Sequence, residues 1–259
     1  MAVGSAISAL LAPHGFWSLT ATAAVLSAMN VLLGAVALAE LPRPLAREPM
    51  TPSSHCVGAG LERLQPAAHV LGIQGVPCIY MLTFLQVLGF AAFESTVAVY
   101  VREQFGGVAA DVGRAYAVGG LATLFFQASG VCRVIALGGD PWALVFGHLG
   151  RALMYGGLMA WPPWWLAVTL MVLGTLGGQL ATSHAASALG GAVPTSLSGI
   201  GVGMQHGAGA IGRVLGPLAA GSTYGIDHRL PLAVGVVASA LAVLTVLRMP
   251  GSSRHHSLP

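Results

Sequence analysis

Five polar side chains lie inside stretches of the chain that are otherwise built from apolar and small residues, and these five could do chemistry. They are Glu94, Gln127, Gln179, His206 and Arg213. Charged side chains in the hydrocarbon of a membrane are costly, and they usually face protein or a water-filled path. Glu94 lies eight residues before Arg102, which is about 12 Å along a helix. A carboxyl at that depth can bind and release a proton near neutral pH, as a proton-coupled carrier requires.

The stretch Ser198–Tyr224 carries two of these side chains on one face. His206 and Arg213 are seven residues, or two helical turns, apart. They stand among Gly, Ala and Ser residues, which let helices approach closely in lipid. Because Arg213 keeps its charge, we expect it either to attract an anionic solute or to neutralise Glu94. Glu94 therefore is either a titrating group or a structural partner, bound to Arg213 or to the backbone of a neighbouring helix.

The other polar side chains also leave alternatives open. His206 either relays protons, because imidazole titrates near neutral pH, or packs as a hydrogen-bonded side chain. Gln127, Gln179 and His184 either contact a solute or hydrogen-bond to a neighbouring helix. Arg151 also falls inside an apolar stretch. We expect its long side chain to snorkel to the cytoplasmic face, and we assign it no site.

The composition places these residues in a membrane protein. Of the 259 residues, 55% are hydrophobic and 7% are charged, whereas a soluble domain carries about 25% charged residues. All eleven basic residues are arginines, and no arginine cluster with interleaved aromatic residues exists, so nucleic acid is excluded as a predicted partner. The three cysteines, Cys56, Cys78 and Cys132, show no metal-ligand spacing. No metal and no cofactor is predicted.

A membrane-spanning helix needs about 20 predominantly apolar residues, and the chain offers seven such stretches. They are 16–39, 77–101, 112–137, 142–161, 164–189, 198–224 and 230–247. The predicted fold is therefore all-α, a polytopic transmembrane helical bundle. We expect residues 1–39 to form a half span plus one span, residues 40–76 a linker with a short helix near 61–71, residues 77–248 a six-helix bundle, and residues 249–259 a disordered tail.

Arginine placement predicts the orientation of the chain in the membrane. One side carries Arg43, Arg47, Arg63, Arg133, Arg248 and Arg254, and the other carries Arg102, Arg114 and Arg229. The bias of six to three places the linker and the C-terminus in the cytoplasm of an integral, multi-pass membrane protein.

Several short motifs, in order along the chain, resemble the major facilitator superfamily. Gly216 and Pro217 with Gly221 are similar to the second-bundle antiporter motif, and the segment from Gly4 to Ser8 is similar to its first-bundle copy, with Ser in place of Pro and of Gly. Residues 90–96 resemble the seventh helix of drug and organic-anion exporters. Residues 130–133 and 138–139 resemble the gating motif between helices eight and nine. At an offset of 212 residues, positions 21–32 repeat positions 233–244, and repeated helical bundles are typical of transporters.

The resemblance implies that the chain corresponds to helices five, in part, to twelve of a carrier whose two six-helix bundles rock about a central cavity. The helices that hold Glu94, Gln127, Gln179 and Arg213 would line that cavity. The motif and helix-packing residues would be Gly4, Gly212, Gly216, Pro217 and Gly221. Helices one to four have no counterpart, so the expected partners are the lipid bilayer, a small-molecule solute, and a missing N-terminal half or a second copy.

One motif points to a different class and is excluded. Gly207, Gly209 and Gly212 match a dinucleotide-binding pattern, with Asp227 following, but that fold requires a strand before the glycines and a soluble charge content. An enzyme is not predicted. We expect a secondary transporter, or a fragment of one, that moves a small organic solute coupled to protons. The alternative is a truncated membrane protein that does not transport and packs against or regulates a partner transporter.

Overall fold

The computed structural model describes residues 65–129 and 139–249, together with Val25, Ala28, Met29 and Leu32, which are helical and exposed. Every regular element in these ranges is helical, so the all-α prediction is confirmed there. The elements are α1 (Gln65–Gly72), α2 (Val76–Phe105), α3 (Ala109–Ala128), α4 (Asp140–Met159), α5 (Trp164–Ala192), α6 (Ser198–Tyr224) and α7 (Leu230–Leu247), with a single 3₁₀ turn at Thr195–Leu197 before α6.

Three of the helices that the structure describes are long and apolar enough to cross a membrane, which indicates a membrane protein. They are α2, α5 and α7, with 30, 29 and 18 residues. The helices α3, α4 and α6 have 20, 20 and 27 residues. Glycines and polar side chains such as His148, Arg151 and Arg213 lower the mean hydropathy of these three helices.

The helix boundaries agree with the predicted stretches at α6 and α7 and differ at α2 and α3. The predicted stretch 77–101 ends before Arg102, whereas α2 continues to Phe105 and stops at Gly106, a left-handed residue with φ 63°. Charged residues such as Arg102 can lie within the last turn of a helix, so the end of α2 is set by the left-handed Gly106. Helix α3 begins at Ala109, where Asp111 accepts a hydrogen bond from the Val108 amide at 2.9 Å.

Several predictions fall outside the described residues. These are most of the first span, Gly4, most of the linker, residues 130–138 with their gating-motif resemblance, and the tail from residue 250. The predicted division of the chain into four segments stays a prediction.

The long helices pack as a bundle in which α2 is central. Helix α2 packs against α6 and α7, α4 packs against α5 and α7, and α3 packs against α5. One buried cluster includes Leu82 and Leu85 of α2 with Ala238 of α7. A second joins Phe93 of α2 to Tyr155 of α4. Helices α2 and α6 run in the same direction, because Tyr80 donates to the Gly201 carbonyl near one end and Tyr224 donates to Glu103 near the other.

Glycines bring two pairs of helices into backbone contact. A methyl group placed on Gly216 would lie 2.7 Å from the Leu88 carbonyl oxygen of α2, and one on Gly212 would lie 2.7 Å from the Phe84 carbonyl oxygen. Between α4 and α5, a methyl group on Gly177 would lie 2.6 Å from the Gly147 carbonyl oxygen. These positions exclude any side chain, which is how small residues bring membrane helices together.

The antiporter-like motif in α6 divides into packed and open residues. Gly212 and Gly216 are buried against α2. Pro217 is exposed inside the helix, and a methyl group on Gly221 would have no neighbour within 4 Å among the described residues. Gly221 lies beyond the contact that Gly216 makes, and its role in helix packing stays a prediction.

Candidate functional site

The five predicted pathway residues all have exposed side chains on the described bundle. Glu94 lies on α2, Gln127 on α3, Gln179 on α5, and both His206 and Arg213 lie on α6. No predicted residue lies on α4 or α7. Their assignment to a solute or proton pathway stays a prediction.

The outward surfaces of α4 and α7 have the opposite character. Every exposed side chain within these two helices is apolar, among the residues whose side chains the structure describes. The large ones are Trp142, Phe146, Leu149 and Leu153 on α4, and Val237, Leu241, Leu244 and Leu247 on α7. Among the described side chains of the six long helices, exposed polar groups therefore occur on α2, α3, α5 and α6 and not on α4 or α7.

Glu94 and Arg213 lie at the edge of the contact between α2 and α6. A methyl group on Gly209 would lie 3.6 Å from Val87 Cγ2. Arg213 follows Gly209 by one turn and Glu94 follows Val87 by two turns, so each lies on the stripe of its helix that meets the other helix. The opposite flank of α6 packs inward through Met204 and Ala208.

The structure does not pair Glu94 with Arg213. Gly212 and Gly216 face residues 84–92 of α2, which places Arg213 at the level of Val87. Glu94 lies seven residues farther along α2, about 10 Å away. No salt bridge joins the two side chains, and Glu94 accepts no hydrogen bond from any residue that the structure describes. The interpretation of Glu94 as the counter-ion of Arg213 is therefore not supported in this arrangement.

Arg151 is the functional candidate that sequence reasoning missed. Its side chain is buried, with 8% exposure, and does not snorkel. The guanidinium lies over the ring of Phe90, 4.9 Å from its centroid. One terminal nitrogen, Nη1, donates to the Gln86 carbonyl at 3.4 Å and to the Tyr155 hydroxyl at 3.3 Å. The guanidinium fills the space that a side chain at Gly178 would occupy. The expectation of a snorkelling Arg151 is wrong because α5 offers this glycine-lined gap.

The surroundings of Arg151 contain several buried polar atoms without a hydrogen-bond partner among the described residues. They are Arg151 Nε, both ring nitrogens of His148 and the Tyr116 hydroxyl. No carboxylate lies within 4 Å of the guanidinium in the same part of the chain. Native structures leave few buried polar atoms without a hydrogen-bond partner. The surroundings of Arg151 are therefore a candidate site in addition to the five predicted residues.

A sequence signal for this region did exist. His148, Arg151 and Tyr155 follow the spacing of one helical face on α4, and α5 carries Gly177 and Gly178 together. The spacing predicts a polar stripe, but it does not say which helix that stripe meets.

Polar side chains also join α2 to its neighbours near the same depth. Gln86 donates from Nε2 to the Gly178 carbonyl at 2.9 Å and to Thr182 Oγ1 at 2.6 Å. The buried Gln205 of α6 donates to Thr83 Oγ1 at 3.2 Å. These bonds link α2 to α5 and to α6, and the exposed Glu94 and Gln179 lie on helices that they join.

A second polar region lies at the end of the bundle, away from every predicted residue. A cavity of about 220 Å³ is lined by Tyr100, Glu103, Gln104, Trp161 and His228. Its carboxylate is already engaged, by the Tyr224 hydroxyl and by His228 Nδ1 at 3.9 Å. These contacts tie the turn between α6 and α7 to the end of α2.

No protein-family model matches the chain, and no curated protein matches it. Within the residues that the structure describes, no group of three or more His, Cys, Asp or Glu side chains is placed to hold a metal ion.

Proposed function

We propose that this chain forms the second helical bundle of a proton-coupled secondary transporter of the major facilitator type, which moves a small organic solute. The supporting observation is the division of the bundle surface. Exposed polar side chains occur on α2, α3, α5 and α6, whereas the exposed side chains that the structure describes on α4 and α7 are all apolar. The resemblance implies the same four helices as cavity-lining helices.

The cost of burying charge in lipid supports this proposal. Glu94 and Arg213 are exposed on the bundle and unpaired with each other. In a multi-pass bundle both would meet hydrocarbon unless water or protein covers them, and intramembrane ionisable residues are functional candidates for that reason. A second bundle facing this surface would enclose a wet cavity with Glu94 and Arg213 in its wall. That second bundle is either a further segment or a second copy.

Cysteine accessibility tests whether the polar surface lines water. Cys56, Cys78 and Cys132 are first replaced by alanine, and single cysteines are then placed at Gln179 or His206. Matched control cysteines go to Leu153 and Leu241, which are 61% and 46% exposed on the apolar surface. In intact membranes a water-soluble maleimide should label the first two positions and spare the controls, because lipid excludes it. Equal labelling at all four positions would contradict the proposal.

The proton-coupling role of Glu94 is tested by transport. Glu94→Gln keeps the shape and the hydrogen-bonding capacity of the side chain and removes its titration. In cells that express the chain together with a second bundle, a pH gradient should drive ethidium or fluorescein across the membrane, and Glu94→Gln should reduce this transport at least about tenfold. Thr169→Ala, on α5 and outside the predicted pathway, serves as the control for loss of an exposed polar group. Normal gradient-driven transport by folded Glu94→Gln protein would rule out the coupling role.

The open polar surface also favours a second candidate, a membrane protein that does not transport and packs against a partner transporter. In that case the surface is covered by protein rather than by water. Labelling at Gln179 and His206 would then be blocked when the partner is present and would appear when it is removed.

A further inference from the structure

The starting point is a buried cation without a counter-charge. Arg151 makes only two long hydrogen bonds, at 3.4 Å and 3.3 Å, and its Nε has no partner among the described residues. An arginine does not lose its charge in a protein. A buried charge with no opposite charge is among the most costly arrangements in a folded chain.

One carboxylate is placed to serve as that counter-charge. The sequence has eight acidic residues, and only Glu94 lies in the interior of a predicted span. Glu103 is engaged by Tyr224, Asp111 by Arg114 at 3.1 Å, and Asp227 by the Arg229 amide at 2.8 Å. Glu94 has no such partner in the described part of the chain.

Phe90, the residue on which the Arg151 guanidinium lies, precedes Glu94 by about one turn of α2. The Arg151 guanidinium stacks on the ring of Phe90, and Glu94 follows Phe90 by four residues on the same face of α2. One turn of helix rises about 5.4 Å, which the flexible side chains of Arg and Glu together can span. From α3, the Tyr116 hydroxyl adds a buried group without a hydrogen-bond partner among the described residues, within electrostatic range of both Glu94 and Arg151.

We infer that Arg151 is the counter-charge of Glu94. When the Glu94 carboxyl is ionised, the guanidinium moves along Phe90 and pairs with it, with the Tyr116 hydroxyl donating to the carboxylate. When the carboxyl is protonated, the guanidinium returns to the Gln86 carbonyl and the Tyr155 hydroxyl. Arg151 is thus a positioning residue for Glu94, the titrating group of the proposed carrier. The pairing itself does not depend on the proposed function; only the role of the Glu94 proton in driving transport rests on it.

Three other titratable side chains interact electrostatically with Arg151, namely Tyr116 from α3 and His148 and Tyr155 from α4. On the remaining helices, α5 carries His184, α6 carries His206 and Arg213, and α7 carries no titratable residue between Leu230 and Leu247. Arg213 is the competing cation, so Arg213→Gln is the matched control for Arg151→Gln.

The test measures melting temperatures of the purified full chain in detergent at about pH 7 and about pH 3, on either side of the usual titration range of a carboxyl group. A carboxylate paired in the folded chain binds protons less readily there than in the unfolded chain, so its stabilisation is present at pH 7 and lost at pH 3, and this loss should lower the wild-type melting temperature by about 5 °C. Arg151→Gln and Glu94→Gln should each remove this part of the difference, and the double variant should melt no lower than Arg151→Gln. Arg213→Gln should keep the difference, and Arg151→Lys should keep most of it.

A pH difference that persists in Arg151→Gln and disappears in Arg213→Gln would overturn the inference, as would additive losses in the double variant. If Arg151→Gln does not fold, the Tyr116→Phe variant provides the test of the pairing instead. It should leave the melting temperature at the acidic pH unchanged and reduce the pH difference by about half, and an unchanged difference would contradict the inference. Because melting requires no transport, failure here is distinct from failure of the proposed function.

Discussion

Glycines form both the contact between α2 and α6 and the contact between α4 and α5, but the groups that these glycines face differ. Between α2 and α6, a methyl group on Gly216 would meet the Leu88 carbonyl oxygen at 2.7 Å and the Ala92 amide nitrogen at 2.8 Å, so backbone lies directly on backbone. Between α4 and α5, Gly177 makes a similar backbone contact, but its neighbour Gly178 faces the guanidinium of Arg151. The first contact sets only a distance between helices, whereas the second also makes room for a charge.

The largest expected effect lies where backbone meets backbone. Valine at Gly216 or Gly177 would force the paired helices apart, and we expect each substitution to lower the free energy of unfolding by about 3 kcal/mol. The control is Gly221→Val on the same helix as Gly216, since a side chain there meets open space in the described bundle. The measurements are thermal unfolding and the monodisperse fraction in detergent. Equal stability of Gly216→Val and Gly221→Val would show that α2 and α6 are not in backbone contact.

A smaller effect is expected at Gly178. A methyl group there overlaps the guanidinium of Arg151, but that side chain can move where a backbone cannot. We expect Gly178→Ala to cost about 1 kcal/mol in free energy of unfolding. In an Arg151→Gln background the cost should fall, because the overlapping group is gone. The same cost in both backgrounds would place the guanidinium elsewhere.

The smallest effect is expected at Gly221. Alanine there adds helix propensity without a contact, so Gly221→Ala should leave the free energy of unfolding unchanged or raise it by up to about 1 kcal/mol. Thermal unfolding measures the difference directly. A loss of stability in the membrane, but not in detergent, would indicate that a partner bundle packs on this residue.

The sequence predicted a helix boundary correctly where residues close to that boundary signal it. Pro194 precedes the start of α6, and the turn at residues 225–229 separates it from α7, so both helices have the predicted bounds. Helix α2 was predicted too short because its charged end looked like a loop, whereas Gly106 ends it. Local pattern also placed His206 and Arg213 on one face, since that follows from spacing on a single helix.

The sequence did not predict how the helices are placed relative to one another. Whether Glu94 meets Arg213 depends on how far α6 is shifted along α2, and Gly212 and Gly216 set that shift by contacts that no local pattern specifies. The burial of Arg151 likewise depends on Gly178, on a different helix. A long apolar stretch with one arginine is compatible with both a snorkelling and a buried side chain, and only the neighbouring helix decides between them.

Pro217, exposed inside α6, has a mechanical consequence. Proline has no amide hydrogen, so the carbonyl oxygen of Arg213, four residues earlier, loses its donor within the helix. The helix is weakest against bending at this level. Before it, Gly212 and Gly216 clamp α6 to α2, and after it Gly221 meets open space in the described bundle. Helix α6 is therefore held to α2 on both sides of its weakest level, by Gly212 and Gly216 before it and by the hydroxyl of Tyr224 at its end, so that a bend at Pro217 is confined between these contacts.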